Sequence, residues 1–93
     1  MKEKIQIKVI IEGMVQGVFY RASTRDRAQM LGLTGWVKNM PDRNVHALLQ
    51  GSPDIIEQMI EWCWQGSPAS RVDHVHTEEQ ELKTEFTAFE VRY

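Results

Sequence analysis

From Lys4 to Glu12 the apolar residues recur at every second position, whereas from Arg21 to Leu31 they follow helical spacing. Ile5, Ile7, Val9 and Ile11 share one face of a half-buried strand, opposite Lys4, Gln6 and Lys8. In the helix, Thr24, Ala28 and Leu31 share one side, with Arg25 and Asp26 nearer solvent. The change of period takes place across Gly13-Met14-Val15-Gln16-Gly17-Val18-Phe19-Tyr20-Arg21. Its glycines permit φ > 0 and let backbone approach backbone or ligand closely. Successive N–H groups in such a turn, just ahead of a helix N-terminus, form a concave nest for anions. Arg21 sits awkwardly there, because the positive end of the helix dipole disfavours a cation by roughly 0.3–1 kcal/mol. It needs a negatively charged partner, and a bound phosphate would supply one.

Downstream, Gly32 occupies the left-handed position expected after a helix, followed by the apolar Leu33. Strands are expected over Thr34 to Met40 and Asn44 to Gln50, around the turn Pro41-Asp42-Arg43. Val45, Ala47 and Leu49 mark the core face of the second. Ser52-Pro53-Asp54 combines an N-cap serine, a first-turn proline and an early acid. The helix it starts carries Ile55, Ile56, Met59, Ile60 and Cys63 as an apolar stripe and runs until Gly66. Residues 66–70 form a loop. Arg71 to Thr77 reads as a strand, Glu78 to Glu85 as a polar loop. A final strand is expected from Phe86 or Thr87 to Tyr93, with Phe89, Val91 and Tyr93 inward. The order β-α-β-β-α-β plus one further C-terminal strand predicts an α+β, ferredoxin-like α/β sandwich: an antiparallel sheet with two helices on one face. That fold hosts enzymes and binding modules alike, so it decides no function.

At 93 residues the chain is expected to form one domain, spanning 1–93, around a single small core. A net charge of -2 creates no general attraction to nucleic acid or anionic lipid, so an anion site must be local. Met1 to Ile7 alternates charged and apolar residues and lacks the continuous apolar core of a signal peptide. No run is long enough to span a membrane. A cytoplasmic monomer is the expectation. The single cysteine, Cys63, excludes an internal disulfide and a cysteine-based zinc site. Its apolar face, with no base or cation offered by Trp62 or Trp64, points to a buried structural thiol rather than a nucleophile.

The glycine run lacks the Walker spacing and any dinucleotide fingerprint. Gly13-x-Val15-Gln16-Gly17-Val18-x-Tyr20-Arg21 instead resembles the first signature of acylphosphatases. Leu31-Gly32-Leu33-Thr34-Gly35-Trp36-Val37-Lys38-Asn39 resembles their second, and Gly66 to Val72 and the ending Phe89-x-Val91-Arg92-Tyr93 also look like the family. The resemblance implies hydrolysis of a carboxyl–phosphate anhydride to a carboxylate and inorganic phosphate, on a small-molecule acyl phosphate, without metal, cofactor or covalent intermediate. It implies that Arg21 and the loop amides of Gln16, Gly17, Val18, Phe19 and Tyr20 hold the phosphoryl oxygens, and that Asn39 positions the attacking water. Physical chemistry agrees with these roles. Phosphoryl transfer needs charge stabilisation and in-line positioning more than a protein nucleophile. A planar guanidinium bonds two phosphoryl oxygens and stays charged, while an amide orients water without acting as a base. One departure stands out: the family usually has glycine where this chain has Arg43. Either Arg43 adopts φ > 0, at a cost of about 1–2 kcal/mol, or Asn44 takes over the turn.

Blander readings accompany these. Arg21 taken in isolation would pair with Glu12 or a C-terminal carboxylate, and Asn39 would merely close a hairpin. Arg25, four residues after Arg21, is expected as a solvated helix charge, and Lys38 as a solubilising one. His74 and His76 point to the same sheet face, but two histidines without a third ligand make no metal site. Trp36 packs on or edges the sheet; Trp62 and Trp64 cannot share a helix face, so at least one is exposed. Two rivals to hydrolysis are a non-enzymatic phosphate- or anion-binding module with the same cradle, and RNA binding on the sheet face. The second lacks a basic surface and the aromatic motifs it needs.

Overall fold

The computed structural model describes residues 3–93; Met1 and Lys2, the start of the segment read for a leader, lie outside the described residues. The period-two run forms β1 (Ile5–Met14), and the elements that follow are α1 (Tyr20–Met30), β2 (Thr34–Asn39), β3 (Val45–Gly51), α2 (Pro53–Gln65), β4 (Arg71–Gln80) and β5 (Phe89–Arg92). The strands lie side by side in the order β4-β1-β3-β2-β5. One face of this sheet presents Val9, Ile11, Val37, Ala47 and Leu49, all buried beneath Tyr20, Thr24 and Ala28 of α1 and Ile56, Met59 and Cys63 of α2. Removing such side chains from water contributes roughly 1.5–3 kcal/mol each for the larger aliphatic ones. Both helices thus cover the same face, as the order of elements predicts. Among the described residues, no helix is long and apolar enough to cross a membrane.

The sheet is mixed rather than antiparallel throughout. β1 pairs antiparallel with β3 and β4, and β2 with β3, but β5 runs parallel to β2. The route between β4 and β5 explains this. β4 ends opposite Gln6, next to Gln50 and Thr34 of the neighbouring strands. Residues 81–88 cross that end of the sheet and enter β5 beside Gly35, so β5 must run against β4 and with β2. The buried Gln50 side chain holds the crossing: its amide donates to Thr84 O at 2.6 Å and Gln6 Oε1 at 2.8 Å, and its carbonyl accepts from Phe86 N at 2.9 Å.

Other boundaries shift for similar reasons. β4 continues three residues beyond Thr77, because Glu78, Glu79 and Gln80 still pair with Lys8, Ile7 and Gln6. It is an edge strand, and polar side chains on both faces suit an edge that must not recruit another strand. β5 begins only at Phe89, and its ladder ends at Arg92, so Tyr93 is exposed rather than inward. α1 closes as expected: Gly32 is left-handed (φ 75°), Gly32 N donates to Gln29 O at 3.1 Å and Leu33 N to Ala28 O at 2.9 Å. Ser52 caps α2 through its carbonyl, which accepts from Ile56 N at 3.0 Å, while its hydroxyl makes no cap bond. Trp62 is buried and Trp64 exposed.

In the β2–β3 hairpin it is Arg43 that takes the left-handed position, at φ 75°. Arg43 N donates to Met40 O at 3.1 Å and Met40 N to Asn44 O at 2.9 Å. This is a tight turn over Pro41-Asp42 followed by a left-handed bulge residue. Asp42 locks it by accepting from Asn44 N at 3.0 Å.

Candidate active site

The segment between β1 and α1 is shaped by backbone geometry that its residues only partly favour. The register of β1 against β4 shifts at Glu12/Gly13, and Gly13 has φ 136°. A Cβ on Gly13 would stand 2.1 Å from Arg71 O, so only glycine allows this approach. Gly17 (φ 76°) and Phe19 (φ 61°) are both left-handed, with Val18 between them. Left-handed residues interleaved with ordinary ones curl successive N–H groups toward one side, which is the geometry of an anion nest.

Three tethers hold the loop. The Gln16 amide donates to Met40 O and Asn44 O, each at 2.9 Å, and so ties the loop to the β2–β3 hairpin. The buried Ser67 hydroxyl donates to Val18 O at 2.8 Å. Tyr20 sinks its ring into the core beside Trp62, 5.5 Å between centroids, and its hydroxyl donates to Cys63 O at 2.7 Å. Burial pushes the Tyr20 phenol upward, so it stays a donor. Burial likewise pushes the Cys63 thiol up to about 12, which makes it inert, in line with its apolar spacing.

Arg21, in the first turn of α1, and Asn39, at the end of β2, line one cavity of about 330 Å³. Gly17, Phe19, Tyr20, Arg25, Val91 and Tyr93 also line it. Gln16 and Val18 are not among its lining residues; the Gln16 side chain and the Val18 carbonyl are the groups that serve the tethers. Arg21 Nη1 reaches Arg92 O at 3.5 Å, and its Cζ stands 4.9 Å from the Tyr93 ring centroid. Among the described residues no carboxylate lies within ion-pair distance of Arg21; Glu12, its alternative partner, is hydrogen-bonded to His76. Asn39 Oδ1 is buried and, among the described residues, has no hydrogen-bond donor. A guanidinium without a carboxylate and an amide oxygen without a donor, both judged among the described residues, therefore belong to two side chains that line one cavity. A phosphoryl group satisfies the first and a water the second.

The remaining candidates fall outside this chemistry or at its margin. Arg25 reaches the cavity wall but pairs with Asp26 at 3.1 Å. The His74 and His76 rings stack edge-on 4.2 Å apart, and His74 meets Trp64. Among the described residues no three metal-ligating side chains converge. His46, which shares a sheet face with His76 across Ile10, is held below the usual histidine range by burial and by Lys8. A larger hollow of about 590 Å³ opens beside Trp62 and the 66–70 loop, but contains neither Arg21 nor Asn39. Two contributors had no role from sequence: Ser67, whose only signal was its place in the Gly66 to Val72 run, and Tyr93, misread as inward.

Comparison with known proteins places this geometry in context. The family model described as acylphosphatase matches residues 7–91. An acylphosphatase of Aeropyrum pernix is 46% identical over 90 residues, covering 96% of this chain and 89% of its own. One from Acaryochloris marina is 48% identical over 91 residues, covering 98% and 97%. The solved structure of an acylphosphatase from Coxiella burnetii superposes with a TM-score of 0.91 at 40% identity, over 96% of this chain and 93% of that one.

Proposed function

The chain belongs to the acylphosphatase family, and from that premise we propose that it hydrolyses acyl phosphates with Arg21 holding the phosphoryl group and Asn39 orienting water. The observation that carries this reading is that Asn39, whose buried Oδ1 has no donor among the described residues, lines the same cavity as Arg21, which has no carboxylate partner among them. The Arg21 guanidinium and the loop amides of Gln16 to Tyr20 neutralise the phosphoryl oxygens. Water, hydrogen-bonded to Asn39 Oδ1, attacks phosphorus in line with the bridging oxygen. The bond from phosphorus to that oxygen breaks, its electron pair leaves with the carboxylate, and the proton of the water passes to a phosphoryl oxygen. A carboxylate is a good leaving group, so charge stabilisation and positioning suffice.

The reaction is read as independent of metal and cofactor, since the guanidinium supplies the charge that a cation otherwise would. Residues 1–93 are taken as one domain that works as a cytoplasmic monomer on a small molecule, with no nucleic-acid or membrane partner. Benzoyl phosphate hydrolysis in the presence of a chelator tests the assignment. Arg21→Ala and Asn39→Ala should each lower kcat/KM by roughly 10²–10³, the usual effect of removing a preorganised donor or positioning group. Full activity in both variants refutes the mechanism. Thermal protection by inorganic phosphate without any turnover would favour the binding-module alternative.

A further inference from the structure

Two aromatic side chains at the cavity are left unused by the fold. Phe19 is 81% exposed and Tyr93 93% exposed, and both line the cavity that holds Arg21 and Asn39. Phe19 is the more telling. Its backbone is left-handed at φ 61°, which glycine adopts freely and a bulky residue only under steric strain. Its side chain is left largely to solvent, whereas the neighbouring Tyr20 buries its own ring. Strained positions with unsatisfied side chains concentrate where a ligand, rather than the fold, makes use of them.

The cavity lining is of two kinds: Arg21 and Asn39 are polar, while Val15, Ala22 and Val91 add apolar residues to the two rings. Arg25 pairs with Asp26, so Arg21 is the cation in the cavity without a carboxylate partner among the described residues. An acyl phosphate has the same division, an anionic phosphoryl head and a carbonyl-linked acyl group. With the head on Arg21, the acyl group is left to the exposed rings, which offer broad flat surface at small entropic cost. The Tyr93 ring also lies against the Arg21 guanidinium, 4.9 Å from Cζ to the ring centroid, so the two kinds of lining adjoin.

We propose that Phe19 and Tyr93 form an aromatic rim that receives the acyl group, so that the enzyme prefers acyl phosphates with flat apolar acyl groups to those with small ones. The proposal rests on the acylphosphatase reading above. Its test is the ratio of kcat/KM for benzoyl phosphate to that for acetyl phosphate, in wild type, Phe19→Ala, Phe19→Gly and Phe19→Trp. Comparing the ratio between proteins cancels both the intrinsic reactivity of the substrates and any change in the phosphate cradle they share. The ratio should fall about tenfold in the alanine and glycine variants, the scale of losing one apolar contact surface, and persist with tryptophan. Phe19→Gly should also melt higher than wild type, which separates loss of recognition from loss of fold. A ratio within twofold of wild type in both truncations, including the case where both substrates suffer equally, overturns the rim. Wild-type protein inert toward both substrates overturns the acylphosphatase reading itself, and the rim with it.

Discussion

Replacing Arg43 by glycine should stabilise this protein, and the structure allows the size of the gain to be worked out. Arg43 sits at φ 75° in the β2–β3 turn, where a residue with a Cβ pays about 1–2 kcal/mol. Glycine removes that strain but adds unfolded-chain entropy worth roughly 0.5–1 kcal/mol. The Arg43 side chain is exposed, and the bonds that close the turn belong to backbone groups and Asp42. They survive the substitution, so the net gain is about 0.7 kcal/mol, or a rise in Tm of about 3–6 °C for a domain this small. Urea melts of wild type, Arg43→Gly and Arg43→Ala supply the assay. Alanine shortens the side chain but keeps the Cβ, so it should melt no higher than wild type. Equal midpoints for the glycine and alanine variants would refute the argument, because the gain would then not come from the backbone. Activity should stay unchanged in both, since Gln16 reaches the hairpin through Met40 O and Asn44 O, not through Arg43.

Gln50→Leu should lower stability by about 2–3 kcal/mol, because it orphans the Phe86 N–H and the Thr84 and Gln6 acceptors together; a melt within experimental scatter of wild type would show that the crossing is held by something else. Cys63 should resist thiol reagents in the native protein at pH 8 and react on addition of urea. Its native pKa of about 12 lies above that of a free thiol, about 8.5, so the unfolded chain releases the proton first. The contribution of the Cys63 thiol to stability is therefore fully present below about pH 8.5 and is lost as pH rises toward 12, with the raised Tyr20 phenol acting in the same direction at higher pH. Cys63→Ala should flatten the decline between about pH 8.5 and 10, as read from urea midpoints; an unaltered slope would contradict the assignment.

Periodicity revealed β1, both helices and the strands of the hairpin because each buries a regular face, and regular burial leaves a regular apolar pattern. It failed at Glu78 to Gln80 and at Tyr93. The former are polar residues kept in an edge strand by pairing to β1, a long-range partner with no local trace. The latter ends a strand whose ladder stops one residue earlier. The parallel pairing of β5 was illegible for the same reason, since it depends on which end of the sheet residues 81–88 cross.

At the site the division is similar. The chain itself determined the glycine-bearing loop, the awkward Arg21 and the family motif that pairs it with Asn39, because residue type and short spacing are properties of the sequence. Only the tertiary structure decided that Gln16 acts through its side chain as a tether, that Ser67 fixes the Val18 carbonyl, and that Phe19 and Tyr93 stand unburied beside Arg21. Each of those facts joins residues far apart in the chain. Sequence spacing carries no record of such distances, and hydrogen bonds and burial exist only once the sheet has brought its strands together.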